Sequence, residues 1–547
     1  MTVQGRILER ILKLPPAVTR RVEVTKDLQI PARDGVELLA DLHAPRGVQD
    51  APTMLVRTPY GRDGALSRLI SRAMAERGYK VLIAAARGTN GSGGTFDPLV
   101  DERADGLATI DWLEKQPWHN GKVVLFGASY LGYVQFAMAP DAGDRITAMM
   151  PMVGSSDFHR IWYPGGTFAL GGLLAWTTRI ITAERHGSLR ADLGEMIGDK
   201  RARKAMGQQP LRETDRLATG REVGFYQDWL INTEPDGAYW TKRGHRDRVG
   251  EITAPVLLFS GWQDIILPGV LDDYAAMRAA GRDPYLTVGP WLHADFKQAA
   301  VAFTEAHAWF QAHLNGDRGK LRELPVRLYV EEAREWRDYP SYPPPGVVNQ
   351  TCYLRPGGGL SPELAGSPDP AQDTIGRYRY DPANPTPDFG GPLLDPRTGG
   401  RKDQASRENR PDVLVCTGDA LVQPLEVIGP VSADIKLRTS TGHADVFVRL
   451  CDVDERGRSV NVCDGIQRIT PEEFPAGDDG IRAVPVTLCA TAYRFKPGHR
   501  LRLQVCGSSF PRFARNTGTG EPLATATGLV PIDYEILSGS AITISVL

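Results

Sequence analysis

Ser129, Asp264 and His293 are the residues whose types, order and flanks could together do chemistry. A serine hydroxyl is a weak nucleophile alone. It needs a base within hydrogen-bond reach to take its proton, and the base needs a carboxylate to hold its tautomer. Ser129 stands in Gly127-Ala-Ser-Tyr-Leu-Gly132, after the apolar run Val123-Val-Leu-Phe126 and before an apolar segment of helical character. Strand, tight turn with a serine at its tip, then helix is the arrangement of a nucleophile elbow. The usual motif has glycine two residues after the serine; here that place is Leu131, and Gly132 comes one later. Taken alone, a strand-Gly-x-Ser turn is as readily structural as catalytic.

The partners decide between these readings. Asp264 follows the buried strand expected at Pro255-Val-Leu-Leu-Phe-Ser260, and His293 follows the strand expected at Pro284-Tyr-Leu-Thr-Val-Gly289. Singly, Asp264 reads as well as a helix N-cap and His293 as an ordinary loop histidine. Serine, acid and histidine in that order, each just beyond a strand, is what an α/β hydrolase requires, so the three are expected to form a catalytic triad. Acyl transfer also needs donors where the oxyanion develops. The backbone N–H of Tyr130 is one candidate. The second would come from Thr58-Pro-Tyr-Gly61, where the Tyr60 hydroxyl is either that donor or part of a packed aromatic. The ten histidines include no H-E-x-x-H or comparable spacing, so no metal is expected. The Gly-rich loop Arg87 to Phe96 lacks the endings of phosphate-binding loops and is expected to be a structural turn.

These residues need elements to position them. Arg21–Thr25 and Val36–Leu42 read as an antiparallel pair; Thr53–Arg57, Tyr79–Ala86 and Ile146–Val153 read as buried strands alternating with helices. That alternation predicts a mostly parallel α/β sheet. From Asp157 to about Gly250 it stops: the chain becomes helical and charged, opening with Phe158 and Trp162, before strands resume. The dense charges of Arg179 to Arg221 are expected to be solvated helical faces. Residues 1–155 and 251–345 are therefore expected to form an α/β-hydrolase catalytic domain, split by a helical cap at 156–250. Beyond the Pro-rich stretch at 340–346, short alternating strands predict a C-terminal β-sandwich, or jelly roll, over 346–547.

At 547 residues there is ample chain for several cores, and 41% hydrophobic with 24% charged residues is ordinary for a soluble globular protein. A net charge of −2 implies neither a nucleic acid nor a membrane surface as partner. All six cysteines follow residue 350, with no C-x-x-C, and are expected to be buried free thiols, with disulfides the alternative. Met1 to Leu14 alternates charge and aliphatics at helical spacing without a signal-like apolar core, so a cytoplasmic protein is expected.

Arg57-Thr-Pro-Tyr60, Arg87-Gly88 with Ser92-Gly-Gly-Thr-Phe96, Gly127-Ala-Ser-Tyr-Leu-Gly132, Gly261-Trp-Gln-Asp264 and Gly289-Pro-Trp-Leu-His293 together resemble the cocaine esterase (CocE/NonD) hydrolases, relatives of the Xaa-Pro dipeptidyl-peptidases. The likeness runs nearly the whole chain and accounts for the displaced glycine. It implies an α/β-hydrolase core, a helical cap and a jelly roll, with oxyanion donors from the Tyr60 hydroxyl and the Tyr130 N–H. It implies an acyl pocket including Trp176, and an apolar pocket is expected among Trp176, Phe158, Trp162, Trp262, Ile266 and Leu267. Two departures narrow the substrate. Ile266 stands where cocaine esterase has an aromatic, which alters the wall that would hold an aromatic acyl group. Ile266 and Leu267 also replace the paired carboxylates with which amino-acid ester hydrolases hold a substrate ammonium. The expected partner is a small-molecule ester, with no cofactor; a homodimer stays open. Amide cleavage of the Xaa-Pro dipeptidyl or acylase type is the enzymatic alternative. A binding protein with a degenerate hydrolase core is the non-enzymatic one.

Overall fold

The strand before Ser129, β5 (Val123–Ala128), lies inside a ten-stranded sheet in a computed structural model that describes residues 9–197, 200–363 and 374–547. The other strands are β1 (Val22–Pro31), β2 (Glu37–Pro45), β3 (Thr53–Thr58), β4 (Lys80–Ala85), β6 (Ala148–Met152), β7 (Leu257–Gln263), β8 (Tyr285–Leu292), β9 (Val326–Val330) and β10 (Glu335–Tyr339). Their spatial order is β1-β2-β4-β3-β5-β6-β7-β8-β9-β10, parallel from β4 to β9 with antiparallel strands at both ends. Every residue of β3, β6 and β7 is buried, which is why their apolar runs, Met54–Val56 and Leu257–Phe259 among them, do not alternate with polar residues.

β7 and β8 run further than periodicity predicts, through Gln263 and Leu292, so Asp264 and His293 are each the next residue after a strand. Gly261 and Gly289 do not end these strands. They let the two chains close up: a Cβ on Gly261 would lie 2.3 Å from the Trp291 carbonyl oxygen, and one on Gly289 would lie 2.1 Å from the Trp291 ring. β9 and β10 extend the sheet beyond the elements expected above.

Between β6 and β7 the chain is helical, with Leu170–His186 and Gly224–Ile231 among its helices, and its apolar residues share one buried cluster with the sheet. After β10 the described residues form eleven further strands in one hydrogen-bonded system, the β-sandwich, with an apolar cluster of its own. Its strand Ala444–Val453 is buried at every position. The alternation that gives a sandwich strand a wet face fails there because other segments of the same domain cover the outer side: Arg449 donates to the Phe389 and Gly390 carbonyls, and the Arg407 guanidinium lies over the Phe447 ring. The six cysteines are unpaired, five buried and Cys489 partly so. Of the N-terminal stretch Met1 to Leu14, residues 1–8 lie outside the described residues, while Leu12 and Leu14 are buried. Among the described residues no helix is long and apolar enough to cross a membrane.

Candidate active site

Ser129 has φ 62° and ψ −122°, a conformation that costs a non-glycine residue of order 1–3 kcal/mol and persists only when its surroundings impose it. Its backbone N–H donates to the Met152 carbonyl at 2.9 Å, and its carbonyl accepts from the N–H of Gly132 and Tyr133 at 2.8 and 3.1 Å. The displaced glycine has a steric cause. A Cβ on Gly132 would stand 3.0 Å from the Cα of Gly154, in the loop after β6, so the helix Tyr130–Ala142 can rest on that loop only with glycine there. Gly127 serves the other side: its Cβ would lie 2.4 Å from that of Leu131, so the leucine fills the space where the common motif has glycine.

The three polar side chains meet across the C-terminal edges of β5, β7 and β8. Ser129 Oγ lies 3.0 Å from His293 Nε2, and His293 Nδ1 lies 2.8 Å from Asp264 Oδ1. A carboxylate accepts only, so Nδ1 carries the proton and Nε2 is left to accept from the serine hydroxyl. Asp264 is fully buried, yet its charge is well compensated. The Ile266 N–H donates to Oδ1 and the Ser260 hydroxyl to Oδ2, both at 2.9 Å, beside the imidazole. Such charge-assisted bonds replace the water that burial removes. The Gln298 amide donates to the His293 carbonyl at 2.9 Å and steadies the loop that carries the histidine.

Tyr130 is the first residue of its helix, so its N–H, next to Ser129, has no intrahelical acceptor. Its phenol points the other way, donating to Glu102 Oε1 at 2.9 Å and accepting from the Leu99 N–H at 2.9 Å. Burial first, then the Glu102 charge, push this phenol well above the ordinary tyrosine range, so it stays protonated. Glu102 is in turn held by Arg57 at 2.9 Å, with both side chains buried. Arg57 and Tyr60 belong to one segment, so a buried chain, Arg57–Glu102–Tyr130, ties that segment to the helix that follows Ser129. Tyr60 is almost fully buried, and its hydroxyl accepts the Trp176 indole N–H at 2.9 Å.

Trp176 lies nearly parallel to the Tyr130 ring, at 16° and 6.2 Å between centroids. Phe96, Phe225 and Trp229 surround it at 6.4, 5.9 and 5.8 Å. Trp162 packs on Trp229 at 4.1 Å and Phe158 on Tyr133 at 5.5 Å, so these two expected pocket residues join the same aromatic group. Ile266 and Leu267 are fully buried beside Asp264. Trp262 instead reaches across the sheet edge, its indole N–H donating to the Tyr329 carbonyl on β9 at 2.7 Å, and so braces the strand that delivers the acid. One of the charges expected on a solvated cap face sits otherwise: the Arg179 guanidinium lies 4.2 Å over the Tyr60 ring. Ser260, Glu102, Phe225, Trp229 and Gln298 were not among the site residues the sequence singled out, and Phe96 entered only as part of a family motif. Glu102 carried a usable signal only in retrospect, since an acid opening a helix is ordinarily explained by the helix dipole.

Comparison with known proteins agrees with this architecture. Residues 34–295 match the X-Pro dipeptidyl-peptidase (S15 family) model, and residues 319–530 match that of the X-Pro dipeptidyl-peptidase C-terminal non-catalytic domain. The chain is 32% identical to the cocaine esterase of Rhodococcus sp. (strain MB1 Bresler), over 92% of this chain and 93% of that one. Two solved structures share the fold at 22% identity: an α-amino acid ester hydrolase (TM-score 0.82, 97% of this chain and 98% of the other) and an aminopeptidase from a marine-sediment Thaumarchaeota archaeon (TM-score 0.81, 97% of each). With elbow, strand-end partners, cap and β-sandwich in place, the chain belongs to the CocE/NonD serine hydrolases of the X-Pro dipeptidyl-peptidase family.

Proposed function

We propose that this hydrolase cleaves carboxylic esters through an acyl-enzyme on Ser129. The observation that carries the proposal is the continuous relay from Ser129 Oγ through His293 to Asp264, 3.0 and 2.8 Å long. His293 Nε2 takes the serine proton as Oγ attacks the ester carbonyl, and later gives it to the departing alcohol; Asp264 stabilises the imidazolium between these steps. The Tyr130 N–H and the Tyr60 hydroxyl hold the oxyanion, and water activated by the same histidine releases the acid. The aromatic group around Trp176, with Ile266 and Leu267 behind the acid, supports a neutral, apolar acyl group. In Ser129→Ala, hydrolysis of nitrophenyl acyl esters is expected to fall by at least about 10⁴-fold, and labelling by a fluorophosphonate probe to disappear. Retained turnover would refute the assignment, and a parent chain that resists the probe would favour a binding protein built on a hydrolase core.

Amide or peptide cleavage uses the same groups, and the family's dipeptidyl-peptidases keep it in view. Faster turnover of aminoacyl-proline amides than of simple esters would replace the ester reading. The aliphatic pair Ile266 and Leu267, offering no counter-charge to a substrate ammonium, favours the ester.

A further inference from the structure

We propose that Trp176 is a positioning residue for the second oxyanion donor, fixing the direction in which Tyr60 offers its proton. The proposal rests on the reading of Ser129 as nucleophile and deepens it. An indole N–H can only donate. At 2.9 Å from the Tyr60 hydroxyl, it makes that oxygen an acceptor on the side facing the cap. The single phenolic proton must then lie on the other side of the oxygen, away from Trp176, where a carbonyl oxygen activated beside Ser129 can receive it. Accepting one hydrogen bond also strengthens the one a hydroxyl donates, since the two polarise each other.

Tyr60 is held for this task from several directions. Its N–H donates to the Thr58 hydroxyl at 3.0 Å. The Arg179 guanidinium, paired with Asp192 at 2.7 Å, lies 4.2 Å over its ring, so the negative charge drawn onto the phenol as it shares its proton faces a cation. Trp176 and Arg179 stand three residues apart on the helix Leu170–His186, hence on one face, and both address the same tyrosine. Trp176 itself is fixed by its packing against Tyr130, Phe96, Phe225 and Trp229. Through one indole N–H, the cap thus orders a donor that belongs to the catalytic sheet.

The test is a cycle of Trp176→Phe, Tyr60→Phe and the double variant, read by kcat and KM on a nitrophenyl ester and by affinity for an arylboronic acid, a mimic of the tetrahedral intermediate. Trp176→Phe keeps an aromatic ring in place while removing the N–H donor and part of the ring system, and the cycle separates the two losses. It is expected to lower kcat by about 10–100-fold and weaken the boronic acid comparably, with KM changed less than about twofold. In the Tyr60→Phe background the same substitution should cost less than about twofold, because no hydroxyl remains to orient. Fluorophosphonate labelling of Trp176→Phe verifies that the site is folded. If the substitution costs as much without the Tyr60 hydroxyl as with it, or acts on KM alone, Trp176 is only a wall of the pocket and the proposal fails. A parent chain that neither labels nor turns over esters would instead overturn the reading of Ser129, and this proposal with it.

Discussion

Glu331, the residue after β9, is a buried acid beside Gln263, the chain neighbour of Asp264. Among the described residues its Oε2 has no hydrogen-bond partner, and nor does the amide oxygen of Gln263, the residue before Asp264. Burial, only partly opposed by Arg401, pushes the Glu331 carboxyl up to about 7. The folded chain therefore keeps this proton between about pH 4.5 and 7, while the unfolded chain releases it. The unfolded state binds fewer protons there, so this residue's contribution to stability falls as pH rises through that window and stays low above it. Glu331→Gln removes the penalty: it should unfold like the parent near pH 4.5 and be more stable by about 3 kcal/mol at pH 8. Thermal unfolding across this range is the check, and a gap that does not widen with pH would refute the argument. The sequence could not have pointed to Glu331, since its carboxyl is dry only because the β-sandwich closes over it.

The nucleophile turn shows the same dependence one scale up. Strand, turn and helix are legible in Gly127 to Gly132, because buried-strand periodicity gives way to glycine and then to an apolar helical face. What Leu131 and Gly132 each do is not legible, since Leu131 packs against Gly127 while Gly132 meets Gly154 from a different loop. Gly127→Ala should force the Leu131 Cβ away from its present place and shift the turn. The expected result is a loss of about 1–3 kcal/mol of stability and at least a tenfold drop in kcat, measured by denaturant unfolding and initial rates. Unchanged kcat in a destabilised variant would mean that the turn holds its geometry without this fit.

Over the whole molecule, backbone hydrogen bonds stitch the parts together. The Glu331 N–H donates to Ala492 at 2.8 Å, the Arg494 N–H to Glu331 at 3.1 Å, and the Ala514 N–H to Phe168 at 2.8 Å, joining sandwich to sheet and to cap. The Gln263 amide donates to the Val462 carbonyl at 3.0 Å, bringing the sandwich within one residue of Asp264. A seam of this kind predicts that core, cap and sandwich unfold together. All ten tryptophans precede residue 337, so tryptophan fluorescence reports the core and cap alone, whereas far-UV circular dichroism sees every strand. Their thermal midpoints should coincide; a separate dichroism transition would make the sandwich an independent unit.

The sequence by itself determined which residues could form a relay, their order and the type of fold that would unite them. Each stands just past a buried strand, and strand periodicity is a local property. It also carried the family, through short motifs spread over the chain. Only the tertiary structure decided how these groups are supported. Arg449 and Asp464, on strands of a sandwich, pair 2.9 Å apart with neither side chain exposed, because another part of the chain covers them. Glu102 is a helix-opening acid until Arg57 and Tyr130 close on it, and Trp176 is one of many aromatics until its N–H meets Tyr60. Contacts such as Glu102 with Tyr130, 28 positions apart, and Tyr60 with Trp176, 116 apart, leave no periodic trace along the chain, so these partners emerge only when the fold is closed.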